Sequence, residues 1–242
     1  MVWILLALLQ ENQIKKMKKG LFILTTFFSY FAQAQFGVVQ DKDGFVNVRE
    51  LENANSQILT KIKTGTILPI DPESINPNWV LVEYKPEYNG YIYHDRIKNI
   101  EDFETISPIS LSTNTIEFSA SDYKIQIEIQ KFNPKNHRIK KENDFVYEID
   151  DKQAFGIDGM MPTTEIKSFK ILYKNQPVEI PKSYYTILYN TQLDSFKFAY
   201  NQNLDQYYLY GTFSDGAASF DAIWVVEKGK IVQHLAQLSF YA

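Results

Sequence analysis

The segment from Tyr123 to Phe132 places the strongest constraint on what this chain can fold into. Apolar and polar side chains alternate along it at almost every position, which is the pattern of a half-buried antiparallel strand. No stretch shows a sustained helical period, and the 16 Tyr and 17 Phe residues, with abundant Ile and sparse Ala, favour strands over helices. We therefore predict an all-β protein.

Short apolar segments separated by turn signals continue through residues 111–242. Lys174–Gln176 predicts one hairpin turn and Lys228-Gly229 predicts the last one. This spacing is typical of an antiparallel sandwich or an open barrel, and both remain open. One helical turn is expected within Pro181–Tyr189. The other strands are expected at Glu165–Tyr173, Pro177–Ile180, Ser195–Tyr200, Tyr207–Phe213, Phe220–Glu227 and Lys230–Phe240.

A second set of motifs lies in residues 36–100. Asp43-Gly44 predicts a turn, and the alternation after it places Phe45, Asn47 and Arg49 on one face of a strand, with the valines between them on the other. Further strands are expected at Ile58–Ile62, Thr66–Ile70, Trp79–Tyr84 and Gly90–Tyr93.

In order, the motifs Asp-Gly-Phe-Val-Asn-Val-Arg, Thr-Gly-Thr, Trp-Val-Leu-Val and Gly-Tyr-Ile resemble a bacterial SH3-like domain, over about a quarter of the chain. The resemblance implies a small β-barrel in residues 36–100. Glu50–Asn53 stands where this family usually has a Ser-Gly-Pro-like turn, so no contacts of that loop are transferred. The polar segment 101–110, with Pro108, is then expected to be a linker.

The SH3-like resemblance also implies a binding surface, because such barrels hold extended peptides across grooves lined by aromatic rings. By strand parity Tyr91 and Tyr93 share a face opposite Ile92, and they point outward if Ile92 is in the core. Packing is the alternative role for each aromatic residue. The candidate ligand-binding residues are Trp79, Tyr84, Tyr91 and Tyr93.

The N-terminal segment predicts export. Lys18 and Lys19 precede the apolar run Leu21–Phe31, and Ala32–Ala34 fits a small-x-small cleavage site, as in a secretory signal. We interpret residues 1–34 as a signal segment, with Met17 as the start, and expect a periplasmic or extracellular protein. The alternative is that this segment remains uncleaved and acts as a membrane anchor. Only in that case do we expect contact with a membrane. The chain has no Cys, so it has neither a lipid-bearing cysteine nor disulfides.

Charge argues against a nucleic-acid partner. The chain has a formal net charge of −4, and removing residues 1–34, which carry +3, leaves −7. Such a protein has no general attraction to nucleic acid or to anionic lipid. A local basic cluster either meets an acidic partner or is simply a solvated surface. It consists of Lys131, Lys135, His137, Arg138, Lys140 and Lys141.

Catalytic motifs are missing, and we predict a protein without enzymatic activity or cofactors. Cysteine catalysis is impossible without Cys, and no nucleophile elbow or phosphate-binding loop is present. The three histidines are scattered, whereas zinc chemistry requires clustered ligands. We interpret His94 as solvated, His137 as part of a basic turn and His234 as a residue at the edge of the core.

Two loops of the second unit are unusual. The loop 156–165 combines exposed-looking methionines with carboxylates, and the loop 214–219 consists of small residues, which allow a partner backbone to approach closely. Asp158, Glu165 and Asp215 have the oxygen ligands that Ca²⁺ prefers, but tight turns alone explain them, and no metal is expected. The candidate partner-contact residues are Ser214, Asp215 and Gly216.

These observations favour an exported binding protein whose SH3-like module recognises a cell-wall peptide or an envelope protein. Two alternatives stay open. One is an inhibitor or immunity-type protein that blocks an exported hydrolase through the loop 214–219. The other is a hydrolase that uses carboxylates of the second unit, which requires Asp158, Glu165 and Asp215 to converge in one cleft.

Overall fold

The computed structural model describes residues 36–71 and 76–239, and this part of the chain is all-β, as predicted. It contains strands and short 3₁₀ turns but no α-helix. The predicted signal segment, with Met17 and the cleavage site after Ala34, lies outside the described residues.

Seven strands between Phe36 and Asn99 form one antiparallel sheet, which we call the N-terminal sheet. Its strand order is β3-β2-β6-β5-β4-β1-β7. The strands are β1 (Phe36–Val39), β2 (Phe45–Arg49), β3 (Ile58–Lys63), β4 (Ile67–Asp71), β5 (Trp79–Lys85), β6 (Tyr88–Tyr93) and β7 (Ile97–Asn99).

The N-terminal sheet wraps around its own core. Val46 and Val48 of β2, near one end of the order, share a hydrophobic cluster with Ile97 of β7 at the other end. Residues so far apart in a single sheet meet only if the sheet curls. The outermost strands β3 and β7 do not pair with each other, so this curled sheet does not close on itself.

Three further sheets follow along the chain. The outer sheet has the order β16-β15-β11-β10-β9, the central sheet β20-β19-β18-β17-β8, and a small sheet β12-β13-β14. Their strands are β8 (Glu104–Thr105), β9 (Ser110–Leu111), β10 (Thr115–Ala120), β11 (Tyr123–Lys131), β12 (Ile139–Glu142), β13 (Phe145–Ile149), β14 (Lys152–Gln153), β15 (Thr164–Tyr173), β16 (Gln176–Pro177), β17 (Lys197–Asn201), β18 (Gln206–Phe213), β19 (Phe220–Glu227) and β20 (Lys230–Leu238).

The outer and central sheets pack face to face as a sandwich. Aromatic pairs connect them, with ring centroids 4.8 Å apart for Tyr123 and Tyr207 and 5.2 Å apart for Phe169 and Trp224. Contacts of this kind add to the burial of the large side chains themselves. Of the two alternatives open for this unit, the structure shows the sandwich-like one, without a closed barrel.

The central sheet is buried on both faces. Leu209 and Trp224 face the outer sheet, whereas Tyr208 and Ile223 pack against Phe36 and other residues of the N-terminal sheet. Such a strand has no solvent face, so its sequence is nearly continuously apolar instead of alternating. β19, Phe-Asp-Ala-Ile-Trp-Val-Val-Glu, has this form, and its first seven residues are buried.

The segment 101–110, which we expected to be a linker, is built into these sheets. Phe103 is buried in the cluster between the N-terminal and central sheets. β8 pairs with β17, and β9 begins at Ser110 and pairs with β10. The two halves of the chain therefore share a hydrophobic core, which positions the outward face of the N-terminal sheet on a rigid base.

Local expectations fail where the pattern is short. The strand expected at Pro177–Ile180 is reduced to Gln176–Pro177, and the expected helical turn is a 3₁₀ turn at Lys182–Tyr184. Eight of the described strands have no counterpart among the predictions, because each has only two to six residues and so lacks a long alternating run. They are β1, β7, β8, β9, β10, β12, β13 and β14.

Candidate functional site

A cavity of about 320 Å³ lies on the outward face of the N-terminal sheet. We call it the aromatic groove, because three ring side chains line it, together with two arginines, two aspartates and other residues. The lining residues that matter below are Phe45, Asn47, Arg49, Trp79, Tyr93 and Arg96.

Strand alternation builds one wall of the aromatic groove. In β2, Val46 and Val48 turn into the core, so the residues between them are directed to the opposite face. Phe45 is consequently 38% exposed. The Asp43–Arg49 motif therefore supplies both a buried anchor and the wall of the cavity from seven consecutive residues.

An aromatic pair builds the other wall. Trp79 of β5 lies directly opposite Tyr93 of β6, and their rings meet edge to face with centroids 5.3 Å apart. Trp79 is 8% exposed and Tyr93 is 43% exposed. The tryptophan is thus the fixed part of this wall, and the tyrosine offers accessible ring surface to a ligand.

An internal ion pair neutralises one of the two arginines. Arg96 Nη1 donates to Asp41 Oδ2, and Arg96 Nε donates to Asp95 Oδ1 at 2.9 Å. The hydrogen bond from Arg96, followed by one from the Asp43 backbone N–H, holds the pKa of Asp41 below its ordinary value. Asp41 therefore stays ionised at neutral pH, and Arg96 is occupied by the chain itself.

Arg49 is different, since no carboxylate pairs with it among the described residues. Its Nη1 donates to the neutral backbone carbonyl of Ser56 at 2.7 Å. Beside it in the groove, Asn47 Oδ1 is buried and has no hydrogen-bond partner in this part of the chain. The groove thus combines ring surface with one cation and one carboxylate, Asp43, that no ion pair compensates among the described residues, and with one unsatisfied acceptor. That combination fits a ligand that carries an anionic group and an N–H donor.

Comparisons with protein-family models, with curated proteins and with solved structures find no match for this chain. In the described part of the chain, no helix is long and apolar enough to span a bilayer.

The aromatic groove contains two of the four aromatic residues expected to bind ligand. Ile92 is fully buried, so Tyr91 and Tyr93 do lie on the opposite face, but only Tyr93 lines the cavity. Tyr84 instead packs partly against the core, with its ring centroid 6.3 Å from that of Tyr88. The cavity is centred on the β2 end of the sheet, away from Tyr84.

The groove residues that sequence reasoning missed are Phe45, Asn47 and Arg49. Their common face was visible in the alternation of the Asp43–Arg49 motif. What the alternation does not reveal is the strand order, which places β2 beside β6 and so brings this face next to Tyr93.

The predicted partner-contact loop is exposed but forms no part of the aromatic groove. Ser214 has a φ of 63°, and its N–H donates to Gln192 Oε1 at 2.7 Å. Asp215 and Gly216 are exposed, and a Cβ placed on Gly216 would meet no atom within 4 Å. Asp215 and Gly216 are thus accessible at the surface of this loop.

The three carboxylates considered for Ca²⁺ do not form a metal site. Glu165 accepts a hydrogen bond from Gln130 at 2.8 Å and contacts His137 Nε2 at 2.9 Å. Among the described residues, no group of three or more His, Asp or Glu side chains is arranged to hold a metal ion. Asp158 and Asp215 do not join Glu165 in any such group.

The basic cluster is largely paired within the chain. His137 lies between Asp150 and Glu165, at 2.8 and 2.9 Å, and stacks on Phe132 with ring centroids 4.7 Å apart. Lys140 Nζ lies 2.6 Å from Glu148 Oε2. Burial acts to raise the pKa of Asp150, but hydrogen bonds from the Arg138 N–H and His137 lower it overall. Much of this charge therefore serves the fold.

The remaining histidines lie in unrelated environments. His94 is exposed in a 3₁₀ turn. His234 lies at the edge of the core, as expected, with its ring stacked 4.4 Å from that of Tyr184 and 5.2 Å from that of Trp224. Burial lowers the pKa of His234 to about 4, so it is neutral at pH 7 and supplies no charge to a site.

Proposed function

We propose that this protein is an exported binding protein of the cell envelope and that the aromatic groove holds an extended cell-wall peptide. The observation that carries the proposal is Arg49, a cation without a carboxylate partner in the described residues, beside the accessible rings of Phe45 and Tyr93. The resemblance of residues 36–100 to a bacterial SH3-like domain and the signal-like segment 1–34 support the compartment and the class of ligand.

The chemistry of the groove favours a peptide that bears a carboxylate. A guanidinium binds a carboxylate through two parallel hydrogen bonds, which a lysine does not provide. Asn47 lines the groove and its buried Oδ1 has no partner among the described residues, which makes it a candidate acceptor for a peptide N–H, and the rings offer apolar contact area. Cell-wall peptides carry carboxylates and amides along an extended backbone, so all three features have a counterpart in such a ligand.

The test is sedimentation of residues 35–242 with purified peptidoglycan. We expect the wild type to bind and Arg49→Met and Tyr93→Ala each to bind at least about tenfold more weakly, which corresponds to roughly 1.4 kcal/mol. Tyr88→Ala is the matched control, because Tyr88 is an exposed tyrosine of the same strand that lies outside the cavity. A wild type that does not sediment, or variants that bind as it does, would contradict the proposal.

The alternative is that this chain is an inhibitor or immunity-type protein that blocks an exported hydrolase through the loop 214–219. The exposure of Asp215 and the open space around Gly216 favour it. Asp215→Arg would then abolish binding to an exported hydrolase without altering sedimentation with peptidoglycan. Unchanged binding of such a hydrolase by this variant would remove the loop from the interface.

A further inference from the structure

β20 forms one edge of the central sheet. It pairs with β19 on its inner side, from Lys230 to Leu238. On its outer side, no backbone hydrogen bond joins it to another strand within residues 36–71 and 76–239. An edge of this kind presents a row of N–H and C=O groups that is a template for another strand.

The other sheet edges are protected in the ways that usually prevent strand addition. β7, β8, β9, β14 and β16 have only two or three residues, and β16 contains Pro177. β3 carries Lys61 and Lys63, and β12 carries Lys140 and Lys141. Short length, lysine and proline are the recognised protections. β20 has nine residues and one charge, Lys230, at its first position.

Two large apolar side chains are exposed on this edge strand, Val232 at 45% and Leu238 at 54%. Val232 has no counterpart on β19, because a bulge lies between Gln233 and Ile231. The strand is regular from Gln233 to Leu238. Val232 immediately precedes this regular stretch and lies six positions before Leu238.

We propose that two copies of this chain pair through β20 in antiparallel orientation, around a two-fold axis at Leu235. This register sets Val232 opposite the partner's Leu238, and by symmetry Leu238 opposite the partner's Val232. Each exposed apolar side chain then covers the other, which is the self-complementarity that a two-fold interface requires.

Charge is compatible with this register. Lys230 lies outside the stretch from Val232 to Leu238, so it does not oppose the partner subunit's lysine. Gln233 faces the partner's Gln237, and His234, neutral at pH 7, faces the partner's Ala236. No like charges meet along the pair, whereas a central lysine would be directly opposed in a self-pairing strand.

The register is tested with single cysteines, since the chain has none of its own. Opposed residues in antiparallel strands have Cα atoms about 4.5–5.5 Å apart, within disulfide range. The two copies of Val232 would be roughly 20 Å apart along the strands. We expect mild oxidation to link Val232→Cys with Leu238→Cys when the two variants are mixed and allowed to exchange, and neither variant alone to form dimers.

Light scattering tests the association itself. The wild type is expected to be a dimer and the double variant Val232→Lys/Leu238→Lys a monomer with an unchanged β-sheet circular dichroism spectrum. Leu51→Lys, at an equally exposed apolar residue of the N-terminal sheet region, should leave the dimer intact. A monomeric wild type, or mixed cysteine variants that cross-link no more than either alone, would overturn the proposal.

Discussion

The aromatic groove and the environment of His234 place similar residues in opposite surroundings. In the groove, Trp79 and Tyr93 lie near Arg49 on an open face. At the central sheet, Trp224 of β19 and Tyr184 of the 3₁₀ turn Lys182–Tyr184 pack against His234 of β20. We call the second set of three residues the His234 box. Each site combines a tryptophan, a tyrosine and a nitrogen base, yet only the groove retains a charged group that a ligand can reach.

Solvation explains the difference. Trp224 Nε1 and His234 Nε2 are buried without hydrogen-bond partners among the described residues, and the histidine responds by remaining neutral. A charged form in this box would lose its hydration without a counter-ion. Arg49 cannot lose its charge at any ordinary pH, so it is tolerated only at an open surface. Aromatic residues beside a base therefore indicate a binding site only where water reaches the base.

The largest expected effect is a difference in the loss of stability when one aromatic residue is removed from the His234 box or from the aromatic groove. Trp224 is fully buried between the two sheets of the sandwich, so Trp224→Ala should lower the free energy of unfolding by about 3–5 kcal/mol. Tyr93→Ala removes a ring that is 43% exposed and should cost much less. Urea denaturation of both variants measures the difference. Equal losses in the free energy of unfolding would mean that Tyr93 contributes as much to the core as Trp224 does.

A second prediction uses pH to probe the central sheet. Burial raises the pKa of Asp221 from 3.8 to about 6 and lowers that of His234 from 6.5 to about 4. Asp221 keeps its proton to a higher pH in the folded protein than in the unfolded chain. Its contribution to the free energy of unfolding is therefore present at low pH and is lost as pH rises through about 6. As pH falls, His234 is protonated in the unfolded chain before it is protonated in the folded protein. Its contribution to the free energy of unfolding is therefore lost as pH falls from 6.5 to 4.

These two contributions to the free energy of unfolding change in opposite directions with pH, and each amounts to roughly 3 kcal/mol. Asp221→Asn should therefore lose stability as pH falls from 6.5 to 4, and His234→Phe should gain stability over the same range. Each variant is compared with the wild type by urea denaturation at several pH values, which cancels the contributions of groups that all three proteins share. If the free energy of unfolding changes with pH in the same way for all three proteins, then folding does not shift the pKa of either group in this window.

A third prediction concerns the link between the two regions. Gln233 of β20 accepts a hydrogen bond from the Ile67 N–H at 2.9 Å and donates one to the Gly65 carbonyl at 2.7 Å. Gln233→Ala leaves both backbone groups without this partner and should cost about 1–3 kcal/mol. Gln237→Ala is the matched control on the same strand, since Gln237 Nε2 has no partner in the described residues. Equal losses for the two variants would contradict a specific link.

Sequence patterns predicted the parts of this structure that depend on local periodicity. β11 and β15 lie where alternation placed them, and His234 lies at the core edge as its parity indicated. Strand order is a property of the whole sheet, so the pairing that joins Arg49 to the face of Tyr93 was not predictable. For the same reason, the segment around Phe103 was assigned to a linker. The Phe103 ring is buried only because the N-terminal sheet packs against the central sheet, and no local pattern indicates that packing.

The smallest expected effect on stability belongs to Arg49. Its one hydrogen bond goes to the Ser56 carbonyl, so Arg49→Met should change the free energy of unfolding by less than about 1 kcal/mol. Arg96→Met is the matched control. It removes the hydrogen bonds to Asp41, whose side chain is 2% exposed, and should therefore cost more, because a buried carboxylate left without its cation is destabilising. Thermal unfolding of the two variants decides between a structural and a binding role for each arginine. If Arg49→Met proves the more destabilising of the two, the cation in the groove serves the fold, and the contrast between the groove and the His234 box disappears.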